Sequence, residues 1–211
     1  MNDILKGLRV IEGSAFIAAP SAGMTLAQMG AEVIRFDPLG GGLDYRRWPV
    51  TEEGDSLYWA GLNKGKKSFA VDIRSPRGRE LLTQLICAPG DNNGIFLTNF
   101  PTSGWMSYDN LKAHREDLIM LNIKGNRDGT SEVDYTVNPA TGFPNLTGPV
   151  GEGAPVNHVL PAWDIATGLA AVNGILAADR HRRMCGEGQF ISLALTDMAF
   201  ATLGNLGFIG E

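Results

Sequence analysis

Residues 8–36 constrain the fold more than any other stretch of this chain. Leu8–Glu12 (LRVIE) and Ala31–Phe36 (AEVIRF) are short apolar runs of strand length. Between them Pro20–Met29 reads as a helix carrying Met24, Ala27 and Gln28, and Gly30 closes it. Strand, helix and strand within roughly 30 residues form a βαβ unit, which sets the second strand parallel to the first through a right-handed crossover. The expected class is therefore α/β, a Rossmann-like parallel sheet flanked by helices. The turn after the first strand, Gly13-Ser14-Ala15-Phe16-Ile17, lacks the G-x-G-x-x-G spacing that brings backbone N–H groups against a pyrophosphate. That spacing argues against NAD or FAD at this position.

The alternation continues. Pro76–Ala88 reads as a helix, with Ser75 as its cap, Pro76 at its first position and Leu81, Leu82, Leu85 and Ile86 as its apolar face. Gly94–Phe100 and Leu118–Lys124 are buried-type strands, with a short helix at Ser107–Arg115 between them. Ligands of open parallel sheets sit at the carboxyl ends of the strands, which marks Gly13, Asp37, Arg74, Asn99, Phe100, Lys124 and Gly125 as the rim of a pocket. Asp37–Trp48 is a loop by its proline and three consecutive glycines, and its Arg46 and Arg47 read either as phosphate contacts or as surface arginines. Lys64, Lys66 and Lys67, followed by Arg74, read either as a patch for an anionic ligand or as a solvated strand entry. Gly125–Val159 is rich in Gly, Pro, Asn and Thr with weak periodicity and is expected as a long loop.

Asn157–Leu195 then supplies one carboxylate, a helix and a strand. Ile165, Leu169, Val172 and Leu176 recur at helical spacing, and Ala166, Gly168, Ala170, Ala171, Gly174 and Ala177 between them allow close approach by other backbone or a ligand. Arg180, His181, Arg182 and Arg183 place cations at the negative pole of that helix, and Gly186 suits a left-handed cap. Gln189–Leu195 reads as a strand and Asp197–Leu206 as a further helix. Asp164 stands at the mouth of the long helix. Locally, its side chain suits a helix cap, accepting the free N–H groups of the first turn.

Composition excludes several classes. An apolar fraction of 44% with 19% charged residues is that of a globular protein with one core. A net charge of −5 argues against a nucleic-acid partner. No uninterrupted apolar run reaches spanning length, and MNDILKGLRV lacks a signal-peptide pattern, so no membrane association and a cytoplasmic location are expected. Cys87 and Cys185 match no metal spacing, nor do His114, His158 and His181, so no metal site is expected.

Four blocks together carry a resemblance: LKGLRVIEGSAFIAAPSAGMTLAQMGAEVIRFD, LNKGKKSFAVDIRSPRGRELL, FLTNFP and AWDIATG…AADRHRRMCGEGQFISLAL. The chain resembles the class III CoA-transferases, a family that includes formyl-CoA transferases, carnitine-type CoA-transferases and α-methylacyl-CoA racemases. GLDYRRWPV, TQLICAPG and EVDYTVNP are most similar to the branch that moves CoA from C1 to C4 of mesaconyl-CoA (2-methylfumaryl-CoA), an intramolecular transfer classed as an isomerisation. Family members are about twice as long, with a small domain between two parts of the large one, and two chains interlock as a homodimer. The resemblance thus implies that residues 1–211 are the N-terminal part of the CoA-binding large domain, without the small domain, the return segment and the glycine-rich loop over the active site.

By the resemblance, the nucleophilic aspartate is Asp164, coenzyme A enters as part of an acyl-CoA substrate, and no cofactor is permanently bound. The implied CoA contacts are Ile17, Ala18, Val71, Asp72, Ile73, Arg74, Asn99, Phe100, Pro101 and Tyr135, the last within Val133–Thr136. The formyl-CoA transferase glutamine is replaced by Ile17, an arginine after the second strand by Pro38, and the racemase histidine by Val133. These departures leave transfer chemistry in place and argue against racemisation. Backbone N–H groups at the start of the Asp164 helix are the expected oxyanion donors.

Overall fold

The computed structural model describes residues 3–151 and 153–208. Six strands form a single parallel sheet: β1 (Arg9–Gly13), β2 (Glu32–Asp37), β3 (Lys67–Ala70), β4 (Ile95–Thr98), β5 (Ile119–Lys124) and β6 (Phe190–Ala194). Their order across the sheet is β3-β2-β1-β4-β5-β6. The expected α/β class holds, and the chain's direction across the sheet reverses between β1 and β4. Helices cover both faces, so each central strand is apolar on both sides.

Successive side chains of a strand point to opposite faces. Val10, Ile95, Leu97, Ile119 and Leu121 therefore meet α1 (Ala18–Gln28), α5 (Asp134–Ala140), α7 (Ala162–Cys185) and α8 (Leu195–Asn205). Ile11, Phe96 and Met120 point the other way, toward α3 (Pro76–Ile86), a 3-10 turn at Gly104–Met106 and α4 (Tyr108–Lys112). Side chains as fully buried as Leu26, Leu82 and Leu97 each contribute roughly 1.5–3 kcal/mol of transfer free energy.

The helix signals around α3 are realised as read: the Ser75 hydroxyl accepts from Gly78 N–H and Pro76 opens the first turn. Gly186 ends α7 with φ 79°, its N–H donating to Arg182 O.

The apolar face of α7 differs from the spacing-based expectation. The buried side runs through Trp163, Thr167, Gly168, Ala171, Val172, Ile175 and Ala178, while Leu169 is 53% exposed. The cause is the helix pair α1–α7. A Cβ at Gly168 would lie 2.3 Å from Ser21 Oγ and 2.8 Å from Ala18 O, so the contact accepts no side chain. Gly168 marks the contact of α7 with α1; the large residues Ile165 and Leu169 join Ile17, Met24, Leu57 and Leu62 around a shallow apolar groove.

Three helical segments were not among the elements expected from the sequence. α2 (Leu57–Leu62) is capped by Ser56, which accepts from Trp59 N–H. Within the expected loop of residues 125–159, α5 and α6 (Phe143–Leu146) form despite Pro139 and Gly142. α5 is held by tertiary contact rather than periodicity, with Val137 in the core and Asp134 and Asn138 both buried. Among the described residues, no helix is long and apolar enough to cross a membrane.

Candidate active site

The carboxyl ends of β1, β4 and β5 open into a cavity of about 540 Å³. Its wall takes Phe16, Ile17 and Ala18 from the start of α1, Asn99–Thr102 from beyond β4, and Asn122–Gly125 from the end of β5. Gly129–Tyr135, Arg47, Tyr58, Leu195 and Asp164 complete it. The cavity lies where the strand order reverses, the position that open α/β sheets use for ligands.

Side-chain hydrogen bonds set the shape of the wall. Asn99 Oδ1 accepts from Ala15 N–H at 2.9 Å and its Nδ2 donates to Ala15 O at 2.7 Å, locking the β1–α1 turn to the end of β4. Thr98 Oγ1 donates to Gly13 O at 2.7 Å, and Asn122 Nδ2 reaches Thr98 O and Phe100 O. Phe16 adopts φ 67°, a left-handed conformation that costs a bulky residue roughly 1–3 kcal/mol. It is held there by its N–H, which donates to Asp44 Oδ2 at 3.0 Å.

Asp44 belongs to a buried network. Arg35, 1% exposed, donates to Asp37 and Asp44 at 3.0 Å each and to Asn63 Oδ1 at 3.0 Å. The glycine-rich loop after β2 is thus fastened to the sheet by a fully paired arginine, and a Cβ at Gly42 would strike Asp37 Oδ1 at 2.5 Å. The lysines ahead of β3 are also engaged. Lys66 Nζ pairs with the buried Glu12 and with Pro20 O, both at 2.8 Å, and Lys67 pairs with Glu32. The anionic-ligand reading of that cluster is therefore set aside, because two of its three lysines are committed to carboxylates of the protein.

Asp164 does not cap its own helix. Asp134, 2% exposed, does so from α5: its Oδ2 accepts from Trp163 N–H at 2.7 Å and from Asp164 N–H at 3.0 Å. The N–H groups of Ala162 and Ile165 donate to Leu160 O and Pro161 O. The start of α7 therefore has no idle donor for an oxyanion, which corrects the expectation drawn from helix polarity alone. Asp134 Oδ1 has no hydrogen-bond partner among the described residues.

The side chain of Asp164 is left for other work. Burial and the negative charge of Asp134 push its pKa up to about 7, while the Ala18 N–H and the positive charge of Arg47 act in the opposite direction. Tyr58, whose hydroxyl is buried without a partner among the described residues, is pushed up to about 12, chiefly by burial. Arg47 stacks its guanidinium on two rings, 4.9 Å from the Tyr58 centroid and 5.5 Å from that of Phe16.

Of the residues singled out in the sequence, Asp164, Ile17, Ala18, Asn99, Phe100, Pro101 and Tyr135 line this one cavity. Val71, Asp72, Ile73 and Arg74 do not; they form the β3–α3 connection, where Asp72 Oδ1 accepts from Arg74 N–H at 2.9 Å. Asp134 and Tyr58 were passed over. Asp134 was hidden in a segment read as loop, and the only local signal for Tyr58 was the capping serine two residues before it. At the opposite end of α7, the exposed His181, Cys185 and Glu187 bring possible ligand atoms within 4.8 Å of one another, an H-x-x-x-C spacing the sequence reading did not register.

Known proteins match nearly the whole chain. The family described as CoA-transferase family III matches residues 5–207. A 2-methylfumaryl-CoA isomerase of Chloroflexus aurantiacus is 67% identical over 100% of this chain and 52% of its own length. A succinate–glutarate CoA-transferase of Agrobacterium fabrum is 34% identical over 95% of this chain and 53% of its own. Among solved structures, a CAIB/BAIF family protein from Brucella suis superposes with a TM-score of 0.87 at 31% identity, covering 99% of this chain and 57% of that one. The chain spans about half the length of the curated relatives it matches.

Proposed function

Because the chain belongs to CoA-transferase family III, we propose that it moves coenzyme A between carboxyl groups through a covalent intermediate on Asp164. The transfer we propose is intramolecular, from C1 to C4 of mesaconyl-CoA. The observation that carries this reading is the setting of Asp164. It is a carboxylate relieved of capping by Asp134, without a salt-bridge partner among the described residues, on the wall of the switch-point cavity. The 67% identity to a 2-methylfumaryl-CoA isomerase supports the choice of substrate.

In the proposed cycle, ionised Asp164 attacks the C1 thioester carbonyl and CoA leaves as thiolate, giving a mixed anhydride. The thiolate attacks the Asp164 carbonyl of that anhydride, forming an aspartyl-CoA thioester and releasing the C1 carboxylate. The diacid turns end for end and its C4 carboxylate attacks the aspartyl thioester, expelling the thiolate again. The thiolate then attacks the C4 acyl carbon, and Asp164 returns as a carboxylate. Charge and atoms balance without ATP or any added reductant, and coenzyme A is part of the substrate throughout. The architecture implied by the resemblance, two interlocked chains each with a second, small domain, is part of the same proposal.

Mass spectrometry after incubation with mesaconyl-CoA tests the intermediate. A hydroxylamine-sensitive CoA adduct on Asp164, absent in Asp164→Ala, is the expected result. No adduct under any condition leaves only a CoA-binding or dimerising role. The 34% identity to a succinate–glutarate CoA-transferase favours a second reading, intermolecular exchange between two acids. Labelled free mesaconate appearing in the product would establish that route in place of the intramolecular one.

A further inference from the structure

Arg9, Arg35, Arg77, Arg115, Arg127, Arg182 and Arg183 each pair with a carboxylate of the protein, whereas no salt bridge reaches Arg46, Arg47, Arg74, Arg79 or Arg180 among the described residues. Of these five, Arg47 is the one on the wall of the cavity. Its backbone is nonetheless fixed. The Arg47 N–H donates to Asp44 O at 3.1 Å and its carbonyl accepts the Ser56 hydroxyl. Asp44, through its side chain, also fixes the strained Phe16. One buried carboxylate residue therefore positions both the arginine and one of the two rings on which it stacks.

The result is a guanidinium lying against Tyr58 and Phe16 on the wall of the Asp164 cavity. Held against the two rings, the guanidinium makes no hydrogen bond to the protein among the described residues, so its N–H groups are available for a two-pronged bond to a carboxylate. Among the described residues, the cavity wall has one other cation, Lys124, at the end of β5. Arg47 is the one whose charge is felt at both Asp164 and Tyr58.

We propose that Arg47 determines specificity in this cavity by receiving the carboxylate of the substrate that is not bonded to CoA. This inference rests on the acyl-CoA reading above and deepens it, because it restricts the substrate to thioesters of dicarboxylic acids. It also gives the intramolecular route a fixed point. When the diacid turns over between the two halves of the cycle, the carboxylate freed at one end takes the place at Arg47 that the other end has left. A monocarboxylic acyl group leaves the guanidinium with no counter-charge and fills its place with a methyl group.

The test is binding in an Asp164→Asn background, which cannot form the adduct. Mesaconyl-CoA is compared with (E)-2-methylbut-2-enoyl-CoA, in which a methyl group replaces the distal carboxylate. With Arg47 present, the diacid thioester binds tighter by about 10-fold to 100-fold, the range for a charge-assisted, two-pronged hydrogen bond. Arg47→Gln brings the ratio close to one while leaving the affinity for the methyl analogue unchanged, and Arg47→Lys retains part of the preference. Equal binding of the two thioesters before substitution, or a preference that survives Arg47→Gln, overturns the assignment of Arg47. Failure of both thioesters to bind, or absence of the adduct in the protein that keeps Asp164, overturns the underlying acyl-CoA reading. Thermal unfolding confirms that each variant is folded before its ratio is read.

Discussion

Two clusters of buried charge flank the same cavity and are built on opposite rules. Around Arg35, two carboxylates and an amide oxygen face one guanidinium, and every charge has its partner at about hydrogen-bond length. Around Asp164, two carboxylates face each other, and one oxygen of Asp134 has no partner among the described residues. The first cluster fixes the loop that carries Arg47 and holds Phe16 in a strained conformation. The second leaves a carboxylate poised between its protonated and ionised forms near neutral pH. Opposite charges that satisfy one another hold a wall in place; like charges left in one pocket keep a reactive group available.

The largest test of that contrast removes the reactive group. Asp164→Ala is expected to abolish the CoA adduct and lower transfer by on the order of 10³-fold or more, as loss of a covalent nucleophile does. Asp164→Asn has the same effect on transfer but changes stability in the direction opposite to most buried substitutions. The folded pKa of about 7 lies above the unfolded carboxylate value, so the unfolded chain ionises first as pH rises. The wild-type protein therefore loses stability between the unfolded pKa and about pH 7, and the loss is complete above it. Asp164→Asn should raise the melting temperature relative to wild type at pH 8 and make little difference at pH 4. A lower melting temperature at pH 8 would show that Asp164 is a structural carboxylate after all.

The Arg35 cluster should answer in the other currency. Arg35→Met leaves Asp37 and Asp44 buried and unpaired, which costs roughly 3–5 kcal/mol, measurable by urea unfolding. Because Asp44 also holds Phe16 and the backbone of Arg47, the variant should lose its preference for the diacid thioester along with its stability. Gly168→Ala is a smaller perturbation of the same wall. The added methyl meets Ser21 Oγ and Ala18 O well inside contact distance, and overpacking of this kind costs roughly 1–3 kcal/mol. The displaced pair of helices carries Ala18 and Asp164. The adduct should therefore form more slowly even where the fold survives.

How much of this was legible beforehand depends on whether the signal was local. The central strands β1, β4 and β5 were readable because each is a short apolar run covered on both faces. The caps at Ser75 and Gly186 were readable because capping is a matter of a few adjacent residues. Asp164 was visible as a carboxylate at a helix start, yet its neighbours alone suggested a cap. Its release from that duty depends on Asp134, thirty positions earlier in a segment with no helical period. The buried face of α7 was misjudged for a related reason. Apolar size and burial part company where two helix backbones touch, and only the partner helix reveals it. Lys66 likewise looked like part of a surface patch until Glu12, 54 positions away, claimed it.

The finest test separates the two jobs of Asp134, as a cap and as a charge. Its Oδ2 accepts two backbone N–H groups, and its negative charge raises the pKa of Asp164. Asp134→Asn keeps an oxygen for the N–H groups and removes the charge. The pKa of Asp164 should then fall toward the ordinary carboxylate range, and the acid limb of the transfer rate should move to lower pH. Wild type should lose activity as pH drops through about 7, where the proposed nucleophile becomes protonated. The variant should be faster than wild type at pH 6 and no faster at pH 8.5, with a melting temperature close to wild type. Asp134→Ala should instead lose roughly 1 kcal/mol or more through the uncapped helix start, and its rate should fall at every pH. If Asp134→Asn behaves as Asp134→Ala does, the residue serves as a cap and its charge is incidental. If only the pH profile moves, the second cluster is a pair in which one carboxylate sets the working range of the other.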